Sequence, residues 1–258
     1  MADKPRIVFA GNRDIAVKVL EFILSEQVYP LALLLPTPEK GSHNREIIDL
    51  SHFLPGDNIL FGTDFRKPEG LELLSEIAPD YIICIHFPYL IPKQVLSIPK
   101  IGVLNLHPAY LPYNRGWHTP SWAILSGTLA GGTLHFMDEN IDTGDIIHQE
   151  QVEILPSDTA DSLYKKIKKT ELDVFIEAFP ALINNSYQRK SQKDLPGSIH
   201  KKEDLLCGDF RKLDLGKEVE LGKFITKLRG LTTNRIDESA YFELDGKKYY
   251  IQVNIVEE

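Results

Sequence analysis

Residues 103–113 read VLNLHPAYLPY, and the way this run ends decides how the chain folds. Val103, Leu104 and Leu106 suit a buried strand, while Asn105 and His107 interrupt the apolar pattern at alternate positions. Side chains alternate across an extended strand, so the amide and the imidazole project to one face. Pro108 and Pro112 then bring the strand to a turn. An apolar strand that finishes on two polar side chains aims those groups out of its C-terminal end.

Outward from this strand the same grammar repeats. "RIVFA" at residues 6–10 is a β-rich run closed by Gly11. In "DIAVKVLEFILSE", Ile15, Val19, Phe22 and Ile23 share one helical face. "LALLL" at 31–35 is apolar throughout, as a strand covered on both faces should be. "GLELLSEIA" reads as helix and "YIICI" at 81–85 as strand. Strands alternating with helices predict an α/β fold with a mainly parallel twisted sheet, its C-terminal strand ends gathered where ligands bind.

Further on, Thr119 as N-cap and Pro120 in the first turn predict a helix through "SWAILSG". "GGTLHFM" and "IIHQEQVEIL" read as strands joined by the polar loop "DENIDTG". Ser157 or Asp158, ahead of Asp161, opens a long helix with Leu163, Ile167, Leu172, Phe175, Ile176 and Phe179 as its buried stripe. These elements place a catalytic domain at 1–185, a polar linker at 186–199 and a small C-terminal α+β appendage at 200–258. The appendage holds a helix around 223–229 and a hairpin turned at Asp245 and Gly246.

Composition narrows the function. The net charge of -8 argues against nucleic acid, whose binders draw affinity from Lys and Arg on phosphates. The densest basic run, "KKIKK", spreads over more than one helical face and reads as solvated surface. No apolar run approaches the roughly 18–20 residues that span a membrane. The N-terminus enters a strand without a secretory apolar region. Cys84 and Cys207 are too few for a disulfide framework or a Cys-based zinc site. His118, His135 and His148 are too dispersed to predict a metal cluster, and "GNRD" after the first strand lacks the dinucleotide glycines. The expectation is a cytoplasmic protein without metal or nicotinamide.

Asn105, His107 and Asp142 together suit acyl transfer to an amine. The amine loses a proton as it attacks, and histidine has the side-chain pKa nearest neutrality. The tetrahedral intermediate carries an oxyanion, which the Asn105 amide or the His107 imidazolium can stabilise. Asp142 can fix the imidazole tautomer and favour its protonated form.

"NLHPAYLP", "RGWHTPSWAILSG" and "LHFMDENIDTGDIIHQ" together resemble the N10-formyltetrahydrofolate-dependent formyltransferase family. The match runs through Asn105, His107, Pro108, Leu111, Pro112, Arg115, Gly116, Asp142 and Gly144. The resemblance implies a Rossmann-like formyltransferase core in which Asn105 positions the formyl oxygen, His107 acts as base and Asp142 supports His107 and the folate. It also implies a slot for the reduced folate at His86, Phe87, Tyr89 and Leu90 and along Asp138, Glu139 and Ile141, read largely through backbone groups.

Among relatives, glycinamide ribonucleotide transformylase shares the flavour of "GWHT" but departs at "GNRDIAV". Methionyl-tRNA formyltransferase is longer and carries a basic C-terminal barrel. Sugar-nucleotide N-formyltransferases are matched by "YLPYNRGWHTPSWAI", and by "IHKKEDL" ahead of a small appendage. The resemblance to them implies a nucleotide-linked aminosugar substrate (dTDP, GDP or UDP) and a product for surface polysaccharide. The C-terminal hairpin offers an edge on which a homodimer could form. Asn12 and Arg13 would meet the pyrophosphate, with Tyr113 and Arg115 covering the sugar nucleotide. A formyltetrahydrofolate deformylase, or a binding protein without turnover, would use the same residues differently.

Overall fold

The computed structural model describes residues 4–258. In chain order the elements are β1 (Ile7–Gly11), α1 (Arg13–Ser25), β2 (Ala32–Leu35), α2 (Asn44–Leu50), β3 (Ile59–Phe61), α3 (Pro68–Ile77), β4 (Tyr81–Ile85) and α4 (Lys93–Leu96). There follow β5 (Gly102–His107), β6 (Arg115–Gly116), α5 (Thr119–Ser126), β7 (Ala130–Phe136), β8 (Ile146–Val152) and α6 (Ala160–Ile183). The chain ends with β9 (Ile199–His200), α7 (Lys202–Leu206), α8 (Leu221–Leu231), β10 (Ala240–Leu244) and β11 (Lys247–Ile251).

Two compact units interleave along the sequence. The first takes in the described residues up to His107, with Thr133–His148 and Glu171–Lys193; the second holds Pro108–Gly132, Gln149–Thr170 and Asp194–Glu258.

The first unit is built on a sheet ordered β3-β2-β1-β4-β5-β7-β8. Its first five strands are parallel, and β7 joins β5 antiparallel. This is the mainly parallel α/β core expected from the sequence. The strand alternation sorts the core into two layers. Phe9, Leu33, Ile83 and Leu104 face α1 and the second half of α6, packing with Ile15, Val19, Phe175 and Phe179. Val8, Leu34, Ile82 and Val103 face α3 and α4, packing with Leu74 and Val95. Every residue of β1, β2 and β4 is buried, which is why those strands read as unbroken apolar runs.

The second unit packs Trp122 and Leu125 of α5 around Leu228 and Leu231 of α8, with Ala240 of β10. Asp245 and Gly246, with φ of 49° and 72°, form the tight turn between β10 and β11 that their sequence predicts.

Several local expectations change. Thr119 is not the N-cap of α5: His118 occupies that position with φ 56°, and the Thr119 hydroxyl donates to Pro108 O instead. At the start of α6 the capping pair is Thr159 and Ser162, each accepting from the other's backbone N–H, rather than Ser157. Asp158 buttresses this turn by accepting from Leu155 N. Strand β8 stops at Val152 instead of running to 155. On α6, Leu172 and Ile176 are only partly buried, while Val174, Ala178 and Leu182 join the core. Among the described residues, no helix is long and apolar enough to cross a membrane.

Candidate active site

The chain moves from β1 to β3 toward one edge of the sheet, then resumes at β4 and β5 on the other side of β1. Strand order thus reverses between β1 and β4, and ligands of α/β sheets bind at such reversals, beyond the strand C-termini. Asn12 and His86 follow those two strands, and Asn12 N donates to Ile85 O at 3.1 Å. Strand β5 lies next in order and ends on His107.

The structure brings Asn105, His107 and Asp142 together in the first unit. Asn105 and His107 share the β5 face that Val103 uses to pack toward α3 and α4. Asp142 reaches them from the β7–β8 loop with φ 52°, a left-handed conformation that Asp tolerates better than most residues. Its Oδ1 accepts from Asn105 Nδ2 at 3.3 Å, and its Oδ2 lies 3.6 Å from His107 Nδ1. A carboxylate beside Nδ1 favours the proton on that nitrogen and leaves the lone pair on Nε2.

A fourth residue, His135, belongs to the cluster and was passed over in the sequence as one of three dispersed histidines. The β5–β7 register sets it directly opposite Asn105. It is wholly buried, and burial pushes its imidazole down to about 4 against the attraction of Asp142. The ring is therefore neutral near pH 7, and Nδ1 donates to Phe136 O at 2.7 Å. Its Nε2 is left as an acceptor for Asn105 Nδ2, 3.2 Å away. Both amide hydrogens of Asn105 are thus engaged, one by His135 and one by Asp142. The amide can turn a hydrogen toward a developing oxyanion by giving up the longer bond to Asp142.

The residues expected at the folate slot line two loops of the same unit. His86, with φ 51°, is held by α6: its Nε2 lies 2.8 and 3.0 Å from the two carboxylate oxygens of Glu171. Phe87 and Tyr89 pack against one another at 5.3 Å between ring centroids, and Phe87 also meets Phe65. Leu90 is 74% exposed and Ile141 42% exposed, so both loops present apolar side chains outward. Asp138 Oδ1 is spent inside its own loop, accepting from Asn140 N at 2.9 Å and Thr143 Oγ1 at 2.6 Å. Glu139 pairs with Lys93 at 2.6 Å.

The residues expected to meet the substrate fall in different units. Asn12 is buried at the N-cap of α1, where Oδ1 accepts from Arg13 N at 3.0 Å and Ser42 N at 2.9 Å. Arg13 is exposed, with φ 70°, and its backbone N also donates to Ser42 O. Tyr113 and Arg115 belong to the second unit, both partly buried. There Arg115 lies on β6, paired parallel to β9. The carbonyl of His200 packs against Gly116, whose φ of 90° also suits glycine alone.

Residues 60–179, which include Asn105, His107, His135 and Asp142, match the formyl transferase family. The methionyl-tRNA formyltransferase of Syntrophus aciditrophicus (strain SB) is 31% identical over 256 residues, covering 95% of this chain and 77% of that relative. The chain belongs to the formyltransferase family. Residues 207–257 of this formyltransferase match the N-formyltransferase dimerization C-terminal domain. The dTDP-4-amino-4,6-dideoxyglucose formyltransferase of Mycobacterium tuberculosis (strain ATCC 25618 / H37Rv) is 30% identical over 182 residues, covering 70% of this chain and 76% of that relative. A crystal structure of a 4-N formyltransferase from Francisella tularensis matches with a TM-score of 0.83 at 25% identity, covering 98% of this chain and 99% of that one.

Proposed function

We propose that this formyltransferase moves a formyl group from N10-formyltetrahydrofolate to the amine of a nucleotide-linked aminodideoxy sugar, for surface polysaccharide. The observation that carries the reading is the meeting of Asn105, His107 and Asp142 at the end of β5. The acceptor class is supported by likeness: the Francisella 4-N formyltransferase matches with a TM-score of 0.83 at 25% identity, and the Mycobacterium dTDP-4-amino-4,6-dideoxyglucose enzyme is 30% identical over 182 residues. The net charge of -8 also disfavours tRNA as acceptor.

The donor supplies a carbonyl carbon already carried on nitrogen. In this reading His107 Nε2 takes the proton of the attacking amine, and Asp142 stabilises the resulting imidazolium. Asn105 and the imidazolium face the oxygen on which negative charge develops. Collapse of this intermediate breaks the bond from the formyl carbon to N10 as His107 returns its proton to N10, so tetrahydrofolate leaves and the formamide remains. The loops at 86–90 and 138–141 are assigned to the pterin. Their apolar side chains point outward, and the carboxylates of Asp138 and Glu139 are occupied within the protein. Recognition of the ring then falls to backbone groups. Asn12 and Arg13, in the same unit as the trio, are assigned to the pyrophosphate of the nucleotide sugar. Residues 1–185 carry catalysis, 186–199 connect, and 200–258 pair two copies into a homodimer in a cytoplasmic setting.

The test is incubation with N10-formyltetrahydrofolate and a panel of dTDP-, GDP- and UDP-linked aminosugars, read by mass spectrometry. One aminosugar gaining a formyl group supports the reading. A silent panel with folded protein contradicts it, and formate release without any amine assigns a hydrolase instead.

A further inference from the structure

The polar segment after α6 returns to the catalytic loop and grips it. Lys190 exchanges backbone hydrogen bonds with Ile146 at 2.8 and 2.9 Å. Arg189 Nε donates to Asp145 Oδ2 at 2.9 Å, with its guanidinium 3.9 Å from the centre of the Phe136 ring. Two residues beyond Lys190, Gln192 is only 3% exposed despite lying in a stretch of Lys, Ser and Asp. Its Nε2 donates to Asp142 O at 3.1 Å and to Gly144 O at 2.6 Å.

The two acceptors flank Thr143, so one NH2 group spans the turn that carries Asp142. A primary amide matches this task because it offers two hydrogens from one nitrogen. A carboxylate would set oxygen against oxygen, and alanine would leave both carbonyls, the one at Gly144 buried, without this donor. The rest of the loop is pinned elsewhere. Asp138 closes its first half, and Gly144 packs against the Phe136 carbonyl without room for a side chain. Gln192 bonds the peptide of Asp142 itself. We propose that Gln192 is a positioning residue, which sets the Asp142 carboxylate against Asn105 and His107 by holding its backbone in the left-handed conformation. This rests on the role assigned to Asp142 above.

The experiment is a double-mutant cycle on the full chain with Gln192→Ala and Asp142→Asn, using N10-formyltetrahydrofolate and dTDP-4-amino-4,6-dideoxyglucose. A displacement of about 1 Å can cost on the order of a hundredfold in rate, so Gln192→Ala is expected to lower kcat by roughly tenfold to a hundredfold. KM for both substrates should stay within about threefold, and in the Asp142→Asn background the second substitution should cost almost nothing further. An equal loss in both backgrounds, or none in either, overturns the proposal. Normal turnover by Asp142→Asn would instead defeat the role of Asp142. Gln192→Asn, which keeps the amide but falls short of the turn, replaces Gln192→Ala if the latter does not fold. A crystal structure of the Gln192 variant decides the matter without turnover: the Asp142 carboxylate should leave Asn105 Nδ2, and an unmoved carboxylate overturns the proposal.

Discussion

The imidazole of His86 and the carboxylate of Glu171 meet inside the first unit, 85 residues apart in sequence. The side chains are 6% and 0% exposed. The contact ties the segment after β4 to the middle of α6, and leaving a buried polar group without its hydrogen-bond partner costs about 1–3 kcal/mol. Urea unfolding of Glu171→Ala should show a loss in that range. Glu171→Gln, which keeps an oxygen within reach of the ring, should lose less. Wild-type stability in Glu171→Ala would mean that the buried pair contributes nothing.

His135 makes stability depend on pH. Its imidazole is held at about 4 in the folded chain against an ordinary value of 6.5. Below about pH 6.5 the unfolded chain therefore binds a proton here that the folded chain refuses. The contribution is complete above that pH and drains away as pH falls toward 4, by about 3 kcal/mol in all. Urea titrations across this window should show a steeper acid loss for wild type than for His135→Gln. Parallel curves would refute the neutral, buried assignment.

Gly144 is pressed against β7 so closely that a Cβ would collide with the carbonyl oxygen of Phe136. Overpacking of this kind costs about 1–3 kcal/mol. Gly144→Ala should therefore lower the thermal midpoint and, by shifting Asp142, reduce kcat more than it raises KM. Gly56→Ala, with nothing near the added carbon, is the control and should leave both unchanged.

The elements legible in the sequence are those whose packing leaves a periodic trace. β1, β2 and β4 are continuous apolar runs because helices cover both faces of the sheet. Asp245 and Gly246 announced their hairpin because the turn needs positive φ at both positions. What stayed hidden depends on register and long-range contact. His135 gained meaning only when β7 paired antiparallel with Asn105 opposite, and nothing in its own strand sets that pairing. Glu171 had a signal that went unused: Leu163, Ile167, Glu171, Phe175 and Phe179 recur every four residues, so a carboxylate stands on the buried stripe. Gln192 sits in a polar stretch that reads as linker, and its bonds to the Asp142 and Gly144 carbonyls leave no trace in that stretch.

Formyl transfer by His107→Asn and Asp142→Asn, measured as initial rate with the aminosugar that the wild-type protein formylates, weighs on the assignment most directly. General acid–base catalysis is worth about a hundredfold to ten-thousandfold, so each variant should fall by about a thousandfold while circular dichroism and thermal midpoint stay near wild type. Rates close to wild type in either folded variant would show that the carboxylate and imidazole at the end of β5 are not the groups that carry the reaction.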